Sequence, residues 1–372
     1  MVINSRSPLP DTGVPGPGLA LRTGTGPGTG LGTALRPGPA AADLDEVLRV
    51  DDLHVSVHHG AAMAVRGISL RVRAGEIVGL VGESGSGKTL TCRAALGVLP
   101  AGCAIEHGTV SFAGRDLTAA PRREWEHVHG SGMGAVFQEP ASYLNPSITV
   151  GGQLTEVLRV KQALGRRAAH QRALELFAAV GLREPGRVFH QIPAELSGGM
   201  LQRVMIAIAI SCGPRLLVAD EATTALDVTI QAEVIELLLQ LRDQTGLAVL
   251  FVSHDLAVVT ELCDRVVVCY AGEVVESGPA QEIIERPRHP YTRGLLQVAS
   301  VGDFRRRELL VIAGQPPRVG ADITGCRFAA RCPAAIAACG TGPVSFAAVG
   351  YHHQVRCVRA RDAAITGELV AR

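Results

Sequence analysis

A glycine-rich run between an apolar stretch and a helical one constrains the fold of this chain most. It reads Gly82, Glu83, Ser84, Gly85, Ser86, Gly87, Lys88, Thr89 and fits the pattern G-x-x-x-x-G-K-[S/T]. The glycines let successive backbone N–H groups point inward at a helix N-terminus, where they bind anions. An ordinary Gly/Ser-rich turn needs no Lys-Thr ending. The run therefore predicts a phosphate-binding loop in which Lys88 reaches the β- and γ-phosphates of a nucleotide and Thr89 binds Mg²⁺.

Length and charge narrow the class of protein. The chain has 372 residues, 47% of them hydrophobic, which is enough for a sizeable core and two or three structural units. Its 36 Lys and Arg nearly balance 35 Asp and Glu, so the charge predicts no nucleic-acid partner. The longest apolar run, 204–210, is far shorter than the roughly 18 residues that a membrane span needs. Without a signal-peptide core, the chain is expected to be soluble and cytosolic.

Composition divides the chain into three parts. Residues 1–45 are rich in Gly and Pro and predict a disordered tail, more consistent with a solvated extension or a misassigned start codon than with a functional peptide. Residues 46–297 alternate strand and helix signals, which indicates an α/β domain with a parallel central sheet. Within it, 138–212 reads as an inserted helical subdomain. After Pro290 the chain reads as loop-rich, and 298–372 forms a Cys-rich C-terminal domain.

An apolar strand that ends in two carboxylates follows the helical insertion. Residues 216–219 are Leu, Leu, Val and Ala, and Asp220 and Glu221 come directly after them. Alone, such a pair is usually just the end of a strand. Together with the phosphate loop, it predicts that Asp220 organises Mg²⁺ and that Glu221 polarises the attacking water as the catalytic base.

Two further polar residues follow predicted strands. His254 comes after the strand 249–253 and would face the same crevice, where a neutral imidazole could contact the γ-phosphate. Gln138 follows the strand 134–137 and would sense the metal and the water. Either residue alone would be a commonplace surface side chain, so both catalytic assignments depend on the other motifs.

The order of these motifs resembles that of ABC ATPases over about residues 46–297. Besides the loop, Gln138, the acidic pair and His254, the chain carries Leu196, Ser197, Gly198, Gly199 and Met200 and then Ala225, Leu226 and Asp227. The resemblance implies that two subunits hold two ATP molecules between them. Ser197, Gly198 and Gly199 of one subunit would cap the γ-phosphate held by the other, and Asp227 would border the nucleotide. Read alone, Ser197 is a plain helix N-cap.

A closer resemblance, over about 46–360, is to the ATP-binding subunit of oligopeptide/dipeptide ABC importers. It is carried by residues 137–140, 221–231 and 289–292 and by a four-cysteine tail. It implies an ABC-type P-loop ATPase with a RecA-like parallel-sheet core, an antiparallel β subdomain, an inserted helical subdomain and a Cys-rich C-terminal extension.

The same resemblance implies partners and a location. The partners would be a second ABC ATPase subunit (a paralogue or a second copy), two transmembrane permeases and, indirectly, an extracytoplasmic solute-binding protein. The chain would then lie peripherally at the cytoplasmic face of the bacterial cell membrane. Import of nickel, glutathione or another small solute is the alternative. A DNA-repair or chromosome-organising ABC ATPase is disfavoured, because residues 138–212 show no sustained heptads.

Three positions depart from the general ABC pattern. Met200 stands where many ABC ATPases have Gln, although Met is usual in the peptide-importer branch, and Ala222 replaces a common Pro. The residue expected to stack on the adenine is His59, whose imidazole offers less area than a tyrosine ring. None of the three removes a catalytic group, so active ATP hydrolysis is expected.

Four cysteines crowd the end of the chain. Cys326, Cys332, Cys339 and Cys357 are spaced C-x5-C-x6-C-x17-C in a segment with little apolar periodicity. In a cytosolic protein a metal is a better staple for such a segment than a disulfide. Four thiolates suit tetrahedral zinc or a [4Fe–4S] cluster, and the spacing leaves both open. The resemblance favours the [4Fe–4S] cluster, with Zn²⁺ as the alternative, in a structural role outside the ATP motifs.

Overall fold

The computed structural model of the chain describes residues 46–222, 228–299, 311–362 and 370–371. The predicted tail 1–45 and Asp227 lie outside the described residues. The strands are β1 Glu46–Val57, β2 Ala62–Arg73, β3 Ile77–Val81, β4 Ala104–Phe112, β5 Arg115–Asp116, β6 Met133–Val136, β7 Leu216–Asp220, β8 Ala248–Ser253, β9 Arg265–Tyr270, β10 Glu273–Pro279, β11 Val311–Ile312, β12 Ala347–Gly350, β13 His353–Val355 and β14 Val370–Ala371.

The helices follow the same chain order. They are α1 Lys88–Ala95, α2 Arg122–Val128, α3 Pro140–Tyr143, α4 Val150–Lys161, α5 Arg166–Ala179, α6 Pro185–Phe189, α7 Gly198–Ile210, α8 Val228–Thr245, α9 Leu256–Leu262, α10 Ala280–Glu285 and α11 Pro290–Ala299. The expectation of a loop-rich chain directly after Pro290 was wrong at this point. Pro290 begins α11, since a proline at the first helical position lacks only an N–H that would be unpaired there anyway. None of the described helices is long and apolar enough to span a membrane.

The central sheet is parallel in its core. Its strand order is β12-β13-β10-β9-β3-β8-β7-β6, and β9, β3, β8, β7 and β6 all run in the same direction. Every residue of β3, β7 and β8 is buried, as expected for short apolar strands covered on both faces. The carboxyl ends of these strands therefore meet at one edge of the sheet, where ligands bind in open α/β folds.

A second sheet is antiparallel, with the order β2-β1-β4-β5. Its long strands β1 and β2 pair from Glu46 with Arg73 to Val57 with Ala62, and they alternate between the core and solvent. This sheet and the parallel core confirm the predicted α/β class with an antiparallel β portion.

Helices α3 to α7 fill the stretch that was predicted to be helical. They contribute a large part of the hydrophobic core, including Leu154, Ala173, Phe177 and Val204, which are all fully buried. The boundaries 46–297, 138–212 and 298–372 stay predictions.

The C-terminal segment extends the central sheet. In β13, Val355 and Gln354 pair antiparallel with Glu276 and Ser277 of β10, and β12 pairs with β13 on the outer side. Side-chain contacts join the segment to the sheet in addition to the backbone pairing. Glu276 is fully buried, its carboxylate accepts hydrogen bonds from the backbone of residues 288 and 289, and His353 lies 2.7 Å from it. The Cys-rich segment therefore shares a buried polar contact with the sheet that carries the phosphate loop.

Candidate nucleotide-binding site

The phosphate loop leaves β3 and enters α1. Gly87 is the N-cap of α1 with φ of 96°, and Gly85 has φ of 78°, both in the left-handed region that glycine adopts without strain. Gly82 has φ of 150°, and a methyl group added there would lie 2.1 Å from the backbone oxygen of Cys269 on β9. The loop can therefore lie directly against the neighbouring strand only because residue 82 has no side chain.

Lys88 is the charged group inside the loop. Its side chain is almost fully buried, and its Nζ donates to the backbone oxygens of Gly82 at 2.7 Å and Glu83 at 2.9 Å. Burial lowers the pKa of the Lys88 ammonium, and the charges of nearby acidic groups, including Glu221 and Asp220, oppose this. A triphosphate would act in the same direction as those acids, because negative charge favours the protonated amine.

Thr89 and Asp220 face each other across the loop and the end of β7. The Thr89 hydroxyl lies 3.4 Å from Asp220 Oδ1. Burial raises the pKa of the Asp220 carboxyl, opposed by the contact with Thr89. Hydroxyl and carboxylate oxygens are ligands that Mg²⁺ prefers, and a divalent cation would reverse the effect of burial on Asp220.

Glu221 occupies a strained position at the carboxyl end of β7. Its φ is 51°, a left-handed value that is rare for residues other than glycine, and its N–H donates to Val252 on β8 at 3.0 Å. Its Oε1 lies 3.6 Å from Nδ1 of His254, which follows β8. The hydrogen bond to β8 helps to hold Glu221 beside His254 in spite of the strained backbone, a conformation that is found at many active sites.

Gln138 and His59 are both exposed at the surface. Gln138 is exposed two residues after β6, whose Val136 pairs with Ala219 of β7. His59 is exposed in the turn between β1 and β2, with φ of 56°, and its N–H donates to Gly102 at 2.9 Å. Among the described residues, neither side chain has a hydrogen bond that fixes it for nucleotide binding.

The predicted signature opens α7. Ser197 is the N-cap of that helix, and its Oγ accepts from the backbone N–H of Met200 at 3.4 Å. Ser197 and Gly198 are exposed, whereas a methyl group on Gly199 would lie 2.7 Å from Cγ2 of Ile230. The plain N-cap interpretation of Ser197 is thus present in the structure, and the exposed helix N-terminus is open to a further partner.

Two models of known protein families match this chain. The family model described as ABC transporter matches residues 65–224, and that described as oligopeptide/dipeptide transporter, C-terminal region, matches 275–339. The probable D,D-dipeptide transport ATP-binding protein of Escherichia coli is 44% identical over 314 residues, which are 84% of this chain and 95% of that protein. The chain belongs to the ATP-binding subunits of oligopeptide/dipeptide ABC transporters. It is an ABC ATPase that uses ATP and Mg²⁺.

A second relative and two solved structures of an ABC transporter cassette are also similar to this chain. The dipeptide transport ATP-binding protein of Bacillus subtilis is 41% identical over 299 residues, covering 80% of this ABC ATPase and 89% of that protein. The dimeric structure of MJ0796, a bacterial ABC transporter cassette, has a TM-score of 0.57 and 26% identity, covering 63% of this chain and 98% of that one. A second structure of MJ0796, a post-hydrolysis state bound to ADP and Pi, gives the same values.

The four C-terminal cysteines of this ABC ATPase come together. Cys326, Cys332, Cys339 and Cys357 line a single cavity with His289 and Phe328. Burial raises the pKa of Cys326 to about 11, and it also raises the pKa values of Cys332 and Cys357. With pKa values raised in this way, few of these thiols are ionised near neutral pH unless a cation compensates the negative charge.

The hydrogen bonds of His289 test whether this cavity fits a metal group. His289 is almost fully buried, and its Nδ1 accepts from the Tyr291 N–H at 3.1 Å, so Nε2 carries the proton. That Nε2–H has no hydrogen-bond partner among the described residues, which a sulfide or thiolate in the cavity would supply.

Within the described residues, the trio of ligand atoms that lie within 4.8 Å of one another is Asp52, His54 and His107, and no three of the four cysteine sulfurs are that close. Four cysteines in one cavity are a donor set that suits either a zinc ion or an iron–sulfur cluster.

One contact at the loop was missed in the sequence. Arg331, next to Cys332, donates from Nη1 and Nη2 to the two carboxylate oxygens of Glu83 at 2.7 and 3.0 Å. The N–H of Glu83 donates to the hydroxyl of Tyr291 at 2.7 Å. The tail was expected to be purely structural because it lies outside the ATP motifs, yet it contacts the second residue of the phosphate loop. No local pattern around Arg331 could have signalled a partner 248 positions away.

Proposed function

We propose that this ABC ATPase hydrolyses ATP to drive the uptake of peptides through a bacterial membrane importer. The observation that carries the proposal is the convergence of Lys88, Thr89, Asp220 and Glu221 at one edge of the parallel sheet. The similar proteins are named for dipeptide, D,D-dipeptide and oligopeptide transport, which favours peptides over nickel or glutathione.

Each residue at this edge has a proposed role. The backbone N–H groups of the loop and Lys88 bind the β- and γ-phosphates. Thr89 and Asp220, with Gln138, hold Mg²⁺, which neutralises charge on the same phosphates. Glu221 accepts the proton of the attacking water, and His254 beside it contacts the γ-phosphate. The exposed ring of His59 stacks on the adenine.

The complete site needs a second ATPase subunit. Ser197, Gly198 and Gly199 present an exposed helix N-terminus, which suits an anion that another subunit binds. Asp227 belongs to the same proposed interface. The dimeric state of MJ0796 supports two cassettes facing each other. The second subunit would be another copy of this chain or a paralogue.

Transport requires further partners. Two transmembrane permeases would carry the peptide, an extracytoplasmic binding protein would deliver it, and this subunit would lie at the cytoplasmic face of the membrane. The segment after Gln138 is a suitable dock, because Tyr143 is half-exposed at the surface of the helical stretch and stacks on Phe137 at 4.7 Å. A stacked aromatic with a free edge is well suited to a protein interface.

We also propose a [4Fe–4S] cluster on Cys326, Cys332, Cys339 and Cys357, with zinc as the alternative. When bound, such a cluster supplies a rigid covalent junction between segments that have little apolar core of their own. The protonated Nε2 of His289 would donate a hydrogen bond to it, and the apolar wall at Phe328 would exclude water from it.

Substitutions of Glu221 and Lys88 test the ATPase proposal. In the assembled transporter, Glu221→Gln should keep ATP binding and lower turnover at least about a hundredfold, the usual contribution of a general base. Lys88→Ala should weaken ATP binding itself. Glu236→Gln, on the exposed side of α8, is the matched control and should hydrolyse ATP like the wild type. Normal turnover by Glu221→Gln would show that another group activates the water.

A further inference from the structure

The phosphate loop is held from outside by the Cys-rich segment. Arg331 lies at the end of a single 3-10 turn, Ala329–Arg331, and Cys332 follows it directly. All five N–H donors of a guanidinium lie in one plane, which matches the two oxygens of a carboxylate. Arg331 uses this fork on Glu83, and it donates additionally to the backbone oxygens of Ile312 and Ala313, both at 2.9 Å. The C-terminal segment therefore fixes the orientation of the Arg331 side chain independently of its contact with Glu83.

The surroundings make this ion pair stronger than an ordinary surface pair. The Arg331 side chain is 4% exposed and that of Glu83 is 27% exposed. The guanidinium lies 5.6 Å from the ring centre of Tyr270 and 5.9 Å from that of Phe328. Partial burial and aromatic faces limit the screening of the pair by water. Burial alone would lower the pKa of Arg331, but the hydrogen bonds to Glu83 and Tyr270 outweigh it and raise that pKa.

A second contact holds the same loop residue by its backbone. The Glu83 N–H donates to Tyr291 OH, and the Tyr291 ring packs on Tyr270 and Phe328 at 4.6 and 5.4 Å between centres. The backbone oxygen of Glu83 accepts from Lys88. Glu83 is thus bonded through its N–H, its C=O and its side chain, and only the C=O contact is internal to the loop.

The negative charge of Glu83 opposes the binding of a polyanion by the loop. A carboxylate one residue after Gly82 repels the phosphates unless a cation neutralises it. Within the loop, the one cation is Lys88, and its role is the phosphates themselves. Arg331 supplies a dedicated counter-charge and directs the carboxylate toward the C-terminal segment.

We propose that Arg331 is a positioning residue for ATP binding, which neutralises Glu83 and fixes the phosphate loop to the Cys-rich segment. The inference builds on the proposed ATP site. Any change that displaces residues 326–332, including a change in what the cysteine cavity holds, alters nucleotide affinity through this pair. The cysteine segment then has a regulatory contact with the ATP site in addition to its structural role.

Equilibrium binding of MgATP to the purified full-length chain tests the proposal. Arg331→Gln should weaken binding about tenfold, equivalent to about 1.4 kcal/mol, because it leaves Glu83 unneutralised beside the phosphates. The double variant Glu83→Gln with Arg331→Gln should recover to within about threefold of the wild type, since both charges are gone. Arg331→Lys keeps the charge but loses the fork, so it should fall between the wild type and Arg331→Gln. Arg318→Gln, at an exposed arginine of the same segment, should bind like the wild type.

Several outcomes would overturn the inference. Arg331→Gln that binds MgATP within about twofold of the wild type would remove the positioning role. A folded double variant as weak as Arg331→Gln would show that repulsion by Glu83 is not the cause. If Arg331→Gln does not fold, the double variant and Arg331→Lys, judged by thermal melts, carry the test. Equal binding by the wild type and Lys88→Ala would instead show that the proposed ATP site itself is wrong.

Discussion

Gly82 is the loop residue whose replacement has the most calculable effect. Its φ of 150° belongs to glycine, and a methyl group there would lie 2.1 Å from the Cys269 oxygen and 2.9 Å from Oγ of Ser86. The Cys269 oxygen belongs to the buried strand β9 and cannot yield as a flexible side chain could. In Gly82→Ala the loop itself must therefore move.

The size of the effect follows from two contributions. An unsuitable positive φ costs about 1–3 kcal/mol, and a forced steric overlap costs about 1–3 kcal/mol. The loop would relieve this strain by moving away from β9, and ATP binding would have to restore it. Because Gly82 O accepts from Lys88 Nζ, the displacement would also misplace the ammonium. At the lower bound of about 2 kcal/mol, MgATP affinity falls about thirtyfold.

Equilibrium dialysis with MgATP measures this directly, and thermal melts confirm that the variant is folded. Gly75→Ala is the control, since Gly75 also has a positive φ, 68°, but nothing lies within 4 Å of an added methyl group. It should lose about 1–2 kcal/mol of stability and keep its ATP affinity. Wild-type affinity in Gly82→Ala would refute the reasoning that contact between the loop and β9 sets the position of the phosphates.

The remaining predictions concern assembly and the cysteines. The ATPase rate per subunit of the isolated chain should rise with protein concentration, because each site lacks its capping Ser197 until a second cassette faces it; full activity from a demonstrated monomer would contradict this. Anaerobically purified chain should be brown and contain iron and acid-labile sulfide, which disappear in the double variant Cys332→Ser and Cys339→Ser. Colourless protein with stoichiometric zinc would overturn the iron assignment, and metal-free protein would overturn both. Cys212→Ser, at a cysteine outside the cavity, is the matched control and should keep the colour.

Much of the fold could be predicted because the decisive signals are local. The strand expected at 249–253 is Ala248–Ser253, and the strand expected at 134–137 is Met133–Val136. Short apolar runs that alternate with helical patterns are typical of a parallel sheet, so the α/β class followed and is confirmed. The ABC family is likewise confirmed. The roles of the site residues and the domain boundaries stay predictions.

Parallel pairing also explains why separate motifs could be placed together. Val81 pairs with Ser253, and Asp220 pairs with Val252, so the loop, Glu221 and His254 emerge at the same sheet edge. Their side-chain geometry did not follow from sequence. The left-handed φ of Glu221 has no signature in its residue type, because strain of this kind is imposed by the tertiary structure.

The C-terminal segment shows why the rest could not be predicted. Strand β13 has three residues, too few for any periodicity, and its pairing with β10 depends on a buried contact between His353 and Glu276, 77 positions apart. Residues 298–372 read as a separate unit because composition reports local propensity and not pairing partners. The segment is attached to the sheet by its strands, by this polar contact and by Phe328, which packs on Tyr270 and Tyr291.

These attachments change what the cysteine segment can do in an ABC ATPase. If the pair between Arg331 and Glu83 strengthens ATP binding by a given factor, thermodynamic linkage requires ATP to stabilise the paired arrangement of the segment by the same factor. The Glu83 N–H, bonded to Tyr291, gives the coupling a second route that does not depend on charge. Arg331 of the cysteine segment and Tyr291 of α11 both bond to Glu83, and the linkage through Arg331 predicts a segment that responds to the occupancy of the ATP site.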